Sequence, residues 1–211
     1  MRYYIESDGR IYLVRRGEDL DLPFSTEVPF DVERIAPLDM DEPLWFCVPH
    51  LDRHPHDWPS KDDAPSLADA TSLVRDAVHA TMPRVVVEGI CVRDGQILLV
   101  RGNRGLTKDR WTLPGGFLRF GETPSEGLLR ELREEIGVEA TIEGPVNVGS
   151  KLGRHTCLHW IMLFYRVRVD DEPTPNPDEI AEIRFVDLAE ARALVSDELM
   201  CSVIETIADP G

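Results

Sequence analysis

The chain has 211 residues, and its 39 acidic residues outnumber the 23 basic ones, which gives a net charge of −16. A field of this sign repels polyanions, so it argues against general nucleic-acid binding and against an anionic membrane surface as partner. The hydrophobic share of 42% is that of an ordinary globular protein. The longest apolar run, at residues 160–165, is far too short to span a bilayer.

The start of the sequence lacks the apolar segment of a secretory signal, so we expect a cytoplasmic protein. Cysteines stay reduced in that compartment, and no C-x-x-C pair is present. We therefore expect free thiols, with two disulfides as the alternative, at Cys47, Cys91, Cys157 and Cys201.

Residues 1–82 are predicted to form a small N-terminal α+β unit. The segments RYYIE and RIYLVRR flank Asp8 and Gly9, a pair that favours a tight β-hairpin turn. Residues 17–65 are rich in Pro and Asp and hold only short apolar pieces such as LWFCV. Residues 66–81 show apolar residues at helical spacing, with Ser66 as the candidate N-cap and Asp69 three positions later. The unit lacks dense apolar periodicity, so we expect it to depend on the rest of the chain for packing.

From Pro83 onward the pattern indicates a larger domain of strands and helices. VVVEGICV and QILLVR flank a second Asp-Gly pair and predict another hairpin. A helix is predicted at 124–136, because Thr123 and Glu126 form a capping box and Gly137 suits the left-handed end. Strand-like segments at 139–150 and 157–169 follow, then an acidic, proline-rich loop at 170–180, a strand at 183–188 and two short helices.

Acidic residues crowd the last turn of the predicted helix at 124–136. Glu131, Glu134 and Glu135 are spaced i, i+3 and i+4, so they share one face. The helix dipole disfavours anions at this end, and like charges four residues apart repel each other. A solvated charged face is the simpler interpretation, but a bound divalent cation such as Mg²⁺ relieves both conflicts. The loop before the helix supplies glycines that allow close approach of the backbone to a ligand, namely Gly115, Gly116 and Gly121.

This loop and helix resemble a complete Nudix box, G-x5-E-x7-R-E-U-x-E-E-x-G-U, in which U is a bulky aliphatic residue. Gly116, Glu122 and the run RELREEIGV at 130–138 occupy its positions. The resemblance extends over about residues 83–211 and implies an α/β fold, a mixed β-sheet sandwiched between helices. It also implies hydrolysis, dependent on Mg²⁺ or Mn²⁺, of a nucleoside diphosphate linked to a further group. Residues 1–82 have no counterpart in the box.

By position in the motif, the resemblance implies a role for each acid of the helix. Glu134 and Glu135 would be the main metal ligands, and Glu131 would be a ligand or the base that acts on water. The carbonyl of Gly115 would complete part of the metal shell. Glu122 and Arg130 would orient the loop and the helix through an ion pair. Some family members carry the base in a later loop, where the candidates are Glu179 and Glu182.

A local basic run precedes the helix in this acidic chain. Arg101, Arg104 and Arg119 are candidate contacts for the phosphates of the substrate. Charge balance for the acidic helix is the alternative interpretation.

Trp111 lies beside the glycine-rich loop and is interpreted as a core residue, with stacking on a nucleobase as the alternative.

A cluster of His and Cys lies in the N-terminal unit, in the segment CVPHLDRHPHDW. The spacing of Cys47, His50, His54 and His56 fits no zinc motif, so a surface loop is the preferred interpretation and metal binding the alternative.

The substrate is the least determined feature. Many ADP-ribose enzymes of the family carry a proline downstream of the box, where this chain has Arg154. Its absence favours a nucleoside triphosphate or a related nucleotide derivative, with ADP-ribose or a nucleotide sugar as the alternative. A non-catalytic, nucleotide-sensing regulator is the alternative of another class, which the intact box and the acidic charge oppose.

We also expect a homodimer in which residues 1–82 contribute to the interface or to substrate selection.

Overall fold

The computed structural model of the chain describes residues 1–38, 40–153 and 158–208, so Arg154 and Cys157 lie outside the described residues. The chain divides into two compact units: Met1–Pro83 with Leu152–His159, and Arg84–Lys151 with Trp160–Gly211. Within the described residues, no helix combines the length and the apolar character that a membrane crossing requires.

The first unit is built on a four-stranded sheet. Strands β1 (Arg2–Ser7) and β2 (Arg10–Ile11) pair antiparallel around Asp8 and Gly9, whose φ angles are +50° and +71°, so the predicted hairpin turn is confirmed. The second strand is shorter than predicted, because β3 (Val14–Arg16) turns back to pair with β4 (Asp19–Asp21). Strands β5 (Val32–Leu38) and β6 (Leu44–Pro49) complete the sheet in the order β2-β1-β6-β5.

The helix of the first unit, α1 (Ser72–Thr81), starts later than predicted. Its N-cap is Thr71, whose side chain accepts a hydrogen bond from the amide of Val74, whereas Ser66 lies in a preceding 3-10 turn. The prediction of Ser66 was wrong because two backbone bonds with Leu20, at 2.6 and 3.0 Å, hold residues 69–71 outside the helix.

The first unit has a core of its own. Tyr4, Ile11 and Leu44 of its sheet are fully buried or nearly so, and they pack with Val74 and Val78 of α1 in one apolar cluster. The expectation that the apolar side chains of residues 1–82 depend on packing elsewhere was therefore wrong. A parallel pairing of β6 with β1, distant in sequence, assembles this core.

The second unit contains a mixed sheet with the strand order β11-β12-β7-β8-β13. Its strands are β7 (Arg84–Arg93), β8 (Gln96–Gly102), β9 (Trp111–Thr112), β10 (Gly115–Phe117), β11 (Ala140–Leu152), β12 (His159–Val169) and β13 (Ile180–Val186). Strand β12 runs parallel to β7, while β8 and β10 pair with β7 antiparallel. The second predicted Asp-Gly hairpin is confirmed between β7 and β8, where Asp94 and Gly95 have φ angles of +51° and +77°.

Helices cover both faces of this sheet. Helix α2 (Pro124–Ile136) packs its buried Leu128, Leu132 and Ile136 against one side. Helices α3 (Leu188–Leu194) and α4 (Glu198–Ala208) belong to a second apolar cluster through Ala191 and Val203. The predicted fold, a mixed sheet sandwiched between helices with a small N-terminal α+β unit, is confirmed.

Helix α2 begins and ends as predicted. The hydroxyl of Thr123 accepts from the amide of Glu126 at 3.3 Å, and the carboxylate of Glu126 accepts from the amide of Thr123 at 2.9 Å. Gly137 ends the helix with a φ of +67°. The loop before β13 covers this end, because Asn176 donates from its backbone to the carbonyl of Glu135 and from its side chain to that of Glu134, at 2.9 and 3.0 Å.

Candidate active site

An ion pair joins the glycine-rich loop to α2. The guanidinium of Arg130 donates two hydrogen bonds to the carboxylate of Glu122, at 2.6 and 2.9 Å, and one to the carbonyl of Phe117 at 2.9 Å. Glu122 also accepts from the amide of Arg119 at 2.8 Å. The contact with Arg130 lowers the pKa of Glu122 to about 2. These bonds fix the end of the loop against α2.

Arginines also bind two of the box acids. Arg130 contacts Glu131 at 2.7 Å and Glu134 at 3.0 Å through one nitrogen, Nη1. Arg119 donates to both oxygens of Glu134, at 3.1 and 3.0 Å. Burial raises the pKa of Glu131, although Arg130 opposes that shift. Arg119 thus balances the charge of the helix in the arrangement observed.

Glu135 reaches the backbone of β10. Its carboxylate accepts a hydrogen bond from the amide of Gly115 at 2.9 Å. Burial raises its pKa to about 8, and the charges of Glu131, Glu179 and Glu134 act in the same direction.

Two glycines of β10 lie in close contacts, and that of Gly115 with backbone atoms requires a glycine. A Cβ at Gly115, whose φ is +151°, would lie 2.0 Å from the carbonyl oxygen of Val87. A Cβ at Gly116 would lie 2.7 Å from the carboxylate of Glu131. The absence of side chains therefore lets β10 lie between β7 and the acids of α2.

Glu88 is a further acid of this region that the sequence patterns did not single out. It lies in β7 with its backbone paired to Gly115, and it is 7% exposed. Its Oε2 has no hydrogen-bond partner among the described residues. Burial raises its pKa well above the ordinary value, and the charge of Glu135 adds to this effect, while Lys151 opposes it. The sequence feature that could have identified Glu88 is a single acid inside the apolar run VVVEGICV.

The donor set is suited to a hard cation. Carboxylate oxygens are the ligands that Mg²⁺ prefers, and the buried Glu135 is disfavoured as an anion without a cation nearby. Within the described ranges, no three His, Cys, Asp or Glu side chains form a preassembled metal cluster. The contacts of Arg130 and Arg119 with Glu131 and Glu134 account for this, because they hold these carboxylates on guanidinium groups.

The two candidate bases of the later loop are placed differently. Glu179 forms an ion pair with Arg104, and its charge raises the pKa of both Glu131 and Glu135, so it lies near the acids of α2. Glu182 lies in β13 and accepts from Arg101 at 3.1 Å. The ladder between β13 and β8 shifts register between positions 180 and 182.

Trp111 is half-buried and packs against the core cluster of α3 and α4. The guanidinium groups of Arg101 and Arg184 lie 6.0 and 5.6 Å from its ring centre. These contacts fit the interpretation of Trp111 as a packing residue.

Side chains of the His and Cys cluster in the first unit contact neighbouring residues of that unit. His54 lies 2.9 Å from a carboxylate oxygen of Asp8, and its ring packs edge-on against His56. Cys47 is buried in β6. Cys47, Cys91 and Cys201 are free thiols.

A family model described as the NUDIX domain matches residues 82–201, more than half of the chain. The chain belongs to the Nudix hydrolase family. An ADP-ribose pyrophosphatase of Methanocaldococcus jannaschii is 32% identical over 115 residues, which cover 54% of this chain and 68% of the relative. A CTP pyrophosphohydrolase of Escherichia coli is 43% identical over 60 residues, which cover 27% of this chain and 43% of the relative.

The fold is also found among solved Nudix structures. A Nudix hydrolase from Nitrosomonas europaea matches with a TM-score of 0.52 and 20% identity, over 86% of this chain and 88% of its own. This share exceeds the residues that the family model matches, so the similarity of fold includes part of the N-terminal unit. Nudix hydrolases generally use divalent metal ions.

Proposed function

We propose that this Nudix hydrolase cleaves the pyrophosphate bond of a nucleoside diphosphate linked to another group, with Mg²⁺ or Mn²⁺ as cofactor. A nucleoside triphosphate or a related nucleotide derivative is the proposed substrate. The observation that carries the proposal is the position of the box: Arg130 ties the loop to α2, and Glu135 ties α2 to Gly115. Acids and backbone groups of the motif therefore face a common site.

In this proposal Glu134 and Glu135, with the carbonyl of Gly115, hold the metal, while Glu131 lies beside it. A bound divalent cation neutralises charge on the diphosphate and lowers the pKa of water. Positioning and charge neutralisation supply most of the acceleration in phosphoryl transfer. The hydrogen bonds that hold the loop against α2 would therefore raise the rate by keeping these groups in position.

The arginines that contact acids in this structure are the proposed phosphate contacts. Arg119 binds Glu134, Arg104 binds Glu179 and Arg101 binds Glu182. Phosphate oxygens compete well for guanidinium groups. A substrate that takes these arginines releases the carboxylates for the metal or for proton transfer.

Glu131 is the proposed general base. A base works best when its pKa lies near the operating pH, and burial shifts the pKa of Glu131 upward in that direction. Glu179 is the second candidate for the base, because its charge raises the pKa of Glu135 and it therefore lies near the acids of α2. Its partner Arg104 is two-thirds exposed, so this arginine can leave Glu179 and move to the substrate.

ADP-ribose is a second candidate substrate, favoured by the similarity to the archaeal ADP-ribose pyrophosphatase. A panel of nucleoside triphosphates, ADP-ribose and nucleotide sugars, each with Mg²⁺, Mn²⁺ or EDTA, separates the two. Triphosphates would give a nucleoside monophosphate and pyrophosphate, whereas ADP-ribose would give AMP and ribose 5-phosphate. Turnover of no compound in the panel would contradict the proposal.

The substitution Glu134→Gln tests the metal-binding role. It removes the charge with little change of volume, so we expect turnover to fall about 100-fold or more while circular dichroism stays unchanged. Glu139→Gln is the matched control, because Glu139 is exposed just beyond the same helix and pairs with Arg133. Full activity of Glu134→Gln, or of the wild type in excess EDTA, would exclude the proposed mechanism.

A further inference from the structure

Glu88 lies on the face of the second unit's sheet that α3 and α4 cover. Side chains alternate along a strand, and Val86 and Ile90 pack in the apolar cluster of α3 and α4. The alternate residue Val87 packs in the cluster of α2 instead. The side chain of Glu88 therefore points away from the acids of α2, and we call the side to which it points the α3–α4 face.

The carboxyl group of Glu88 is an acceptor without a donor. The residue is 7% exposed, and its Oε2 has no hydrogen-bond partner among the described residues. The charge of Lys151 opposes the rise in the pKa of Glu88, but the ammonium of Lys151 donates to Asp197. A buried polar atom without a partner costs free energy, and a ligand that donates to it removes that cost.

An exposed aromatic ring lies on the same face. Phe117 of β10 pairs with Val86, and directly paired residues of adjacent strands place their side chains on one face. The ring centres of Phe117 and Trp160 are 5.5 Å apart, and Trp160 packs against the cluster of α3 and α4. Phe117 nevertheless stays 45% exposed. Such a ring offers a surface on which a nucleobase stacks.

Strand β10 connects this face to the box. Gly115 lies opposite Glu88 in the ladder, and Phe117 follows two residues later, about 7 Å along the strand. The amide of Gly115 donates to Glu135, and the carbonyl of Phe117 accepts from Arg130. Among the described strands β10 pairs with β7 alone, so no strand covers its other edge. A nucleotide with its phosphates at the box therefore needs to span little more than its sugar to bring its base to Phe117.

We propose that the α3–α4 face binds the base of the nucleotide substrate, with the ring stacked on Phe117 and an exocyclic amino group donating to Glu88. This inference rests on the proposed hydrolysis of a nucleotide and specifies the class of base. An amino group donates to a carboxyl group in either protonation state, whereas a carbonyl oxygen at the same ring position requires a protonated carboxyl. A site built around a buried acceptor rejects the analogue that leaves this acceptor unpaired.

The test compares pairs of substrates that differ only at this edge of the base. ATP and ITP carry an amino group and an oxygen at the same ring position, as do CTP and UTP, and ADP-ribose with its hypoxanthine analogue is a third pair. We expect kcat/KM with Mg²⁺ to be at least about ten-fold higher for the amino member of each pair that is hydrolysed. Equal values of kcat/KM within the pairs overturn the inference.

The substitution Glu88→Gln tests the role of the acceptor. It replaces one oxygen by an amide nitrogen, which donates to a carbonyl oxygen, so the ratio of kcat/KM within each pair should fall toward one. Glu143→Gln, an acid of the same sheet in β11, is the control and should keep the wild-type ratio. A merely structural role would change both members of a pair equally, so an unchanged ratio overturns the inference. If Glu88→Gln does not fold, Glu88→Asp, which withdraws the acceptor by one methylene group, should lower the same ratios.

The substitution Phe117→Leu tests the stacking surface. Loss of stacking should raise KM about five-fold or more for every nucleotide that is hydrolysed, while the ratios within the pairs stay as in the wild type. Phe120→Leu is the matched control, because Phe120 is fully exposed in the loop that follows β10, and it should keep the wild-type KM. An unchanged KM in Phe117→Leu, or an equal rise in both variants, contradicts the stacking and overturns the inference.

Failure of this inference is distinguishable from failure of the proposed function. Hydrolysis of no nucleotide, or full activity in excess EDTA, contradicts the proposed function. Hydrolysis that depends on Mg²⁺ but shows no preference within the pairs contradicts only the assignment of the α3–α4 face.

Discussion

One guanidinium group organises most of the charged contacts of the box. Arg130 contacts Glu122, Glu131 and Glu134 and also donates to a loop carbonyl. An arginine has five donors in a planar arrangement, whereas a lysine has three donors on one atom. The identity of this residue therefore matters more than its charge, because a lysine cannot keep the loop and two acids of the helix in place together.

Substitutions at Glu122 and Glu131 should separate positioning from chemistry. Glu122→Gln weakens the bidentate contact with Arg130, so we expect faster hydrogen exchange in the loop at residues 117–122. Glu131→Gln should lower kcat strongly while leaving exchange in this loop near the wild-type rate. Exchange mass spectrometry and steady-state kinetics on both variants provide the comparison. A structure with metal on Glu122 and with Glu131 turned to solvent would reverse the two roles.

Glu135 makes the stability of the metal-free protein depend on pH. Its pKa is about 8 in the folded chain, against an ordinary value of 4.5. The folded state therefore keeps this proton after the unfolded state has lost it, so the stability contributed by Glu135 is full below pH 4.5 and is lost as pH rises toward 8. Glu135→Gln should be more stable than the wild type by about a few kcal/mol at high pH, with little difference at low pH.

Urea unfolding in EDTA, at about pH 5 and about pH 9, measures this effect. Glu139→Gln serves as the control, because Glu139 is an exposed acid just beyond the same helix. A pH-independent effect of Glu135→Gln would contradict the assignment of a buried, protonated carboxyl.

At the scale of elements, the sequence predicts an element correctly where short-range interactions determine where it begins and ends. Helix α2 carries a capping box and a left-handed glycine, and the two hairpins carry Asp-Gly turns, so short-range chemistry determines these boundaries. The Nudix box lies in this locally determined region. Because α2 forms as predicted, Glu131, Glu134 and Glu135 share one helix face.

Other elements depend on distant partners. The start of α1 is set by a bridge between Leu20 and Ala70, and β6 is set by its parallel pairing with β1. The position of Glu88 beside Gly115 depends likewise on the pairing of β10 with β7. The contacts of Arg104 with Glu179 join residues far apart in sequence. Sequence spacing alone carries no information about such contacts.

The loop before β13 should stabilise α2 through Asn176. This side chain and its amide satisfy carbonyls of the last turn, those of Glu134 and Glu135. Asn176→Ala removes this bond and also the one that its Oδ1 accepts from the amide of Asp178 at 3.2 Å. A hydrogen bond typically contributes about 1 kcal/mol, so Tm should fall by at least about 2–4 °C. Thr174→Ala is the control, because Thr174 contributes only its backbone amide to this contact. An equal loss of Tm in both variants would contradict the specific role of Asn176.

At the scale of the whole molecule, the first unit packs most of its large apolar residues internally, which its sequence did not predict. Tyr4, Ile11 and Leu44 are buried in the core of this unit. The apolar side chains that stay exposed in its sheet include Ile35 in β5 and Val48 in β6, which are 42% and 39% exposed. Strand β5 ends the strand order of this sheet, and edge strands readily pair with a second chain.

We predict that the full chain is a homodimer and that β5 of the first unit contributes to the interface. Light scattering on the full chain measures its mass, and Ile35→Lys should shift the population toward monomer, because a charge at an apolar contact disfavours association. Val92→Lys is the matched control, an equally exposed apolar residue of the second unit at 40%. Point variants are preferable to a truncation, since the first unit also includes Leu152–His159. A monomeric wild type would refute the dimer, and an Ile35→Lys dimer of unchanged stability would place the interface elsewhere.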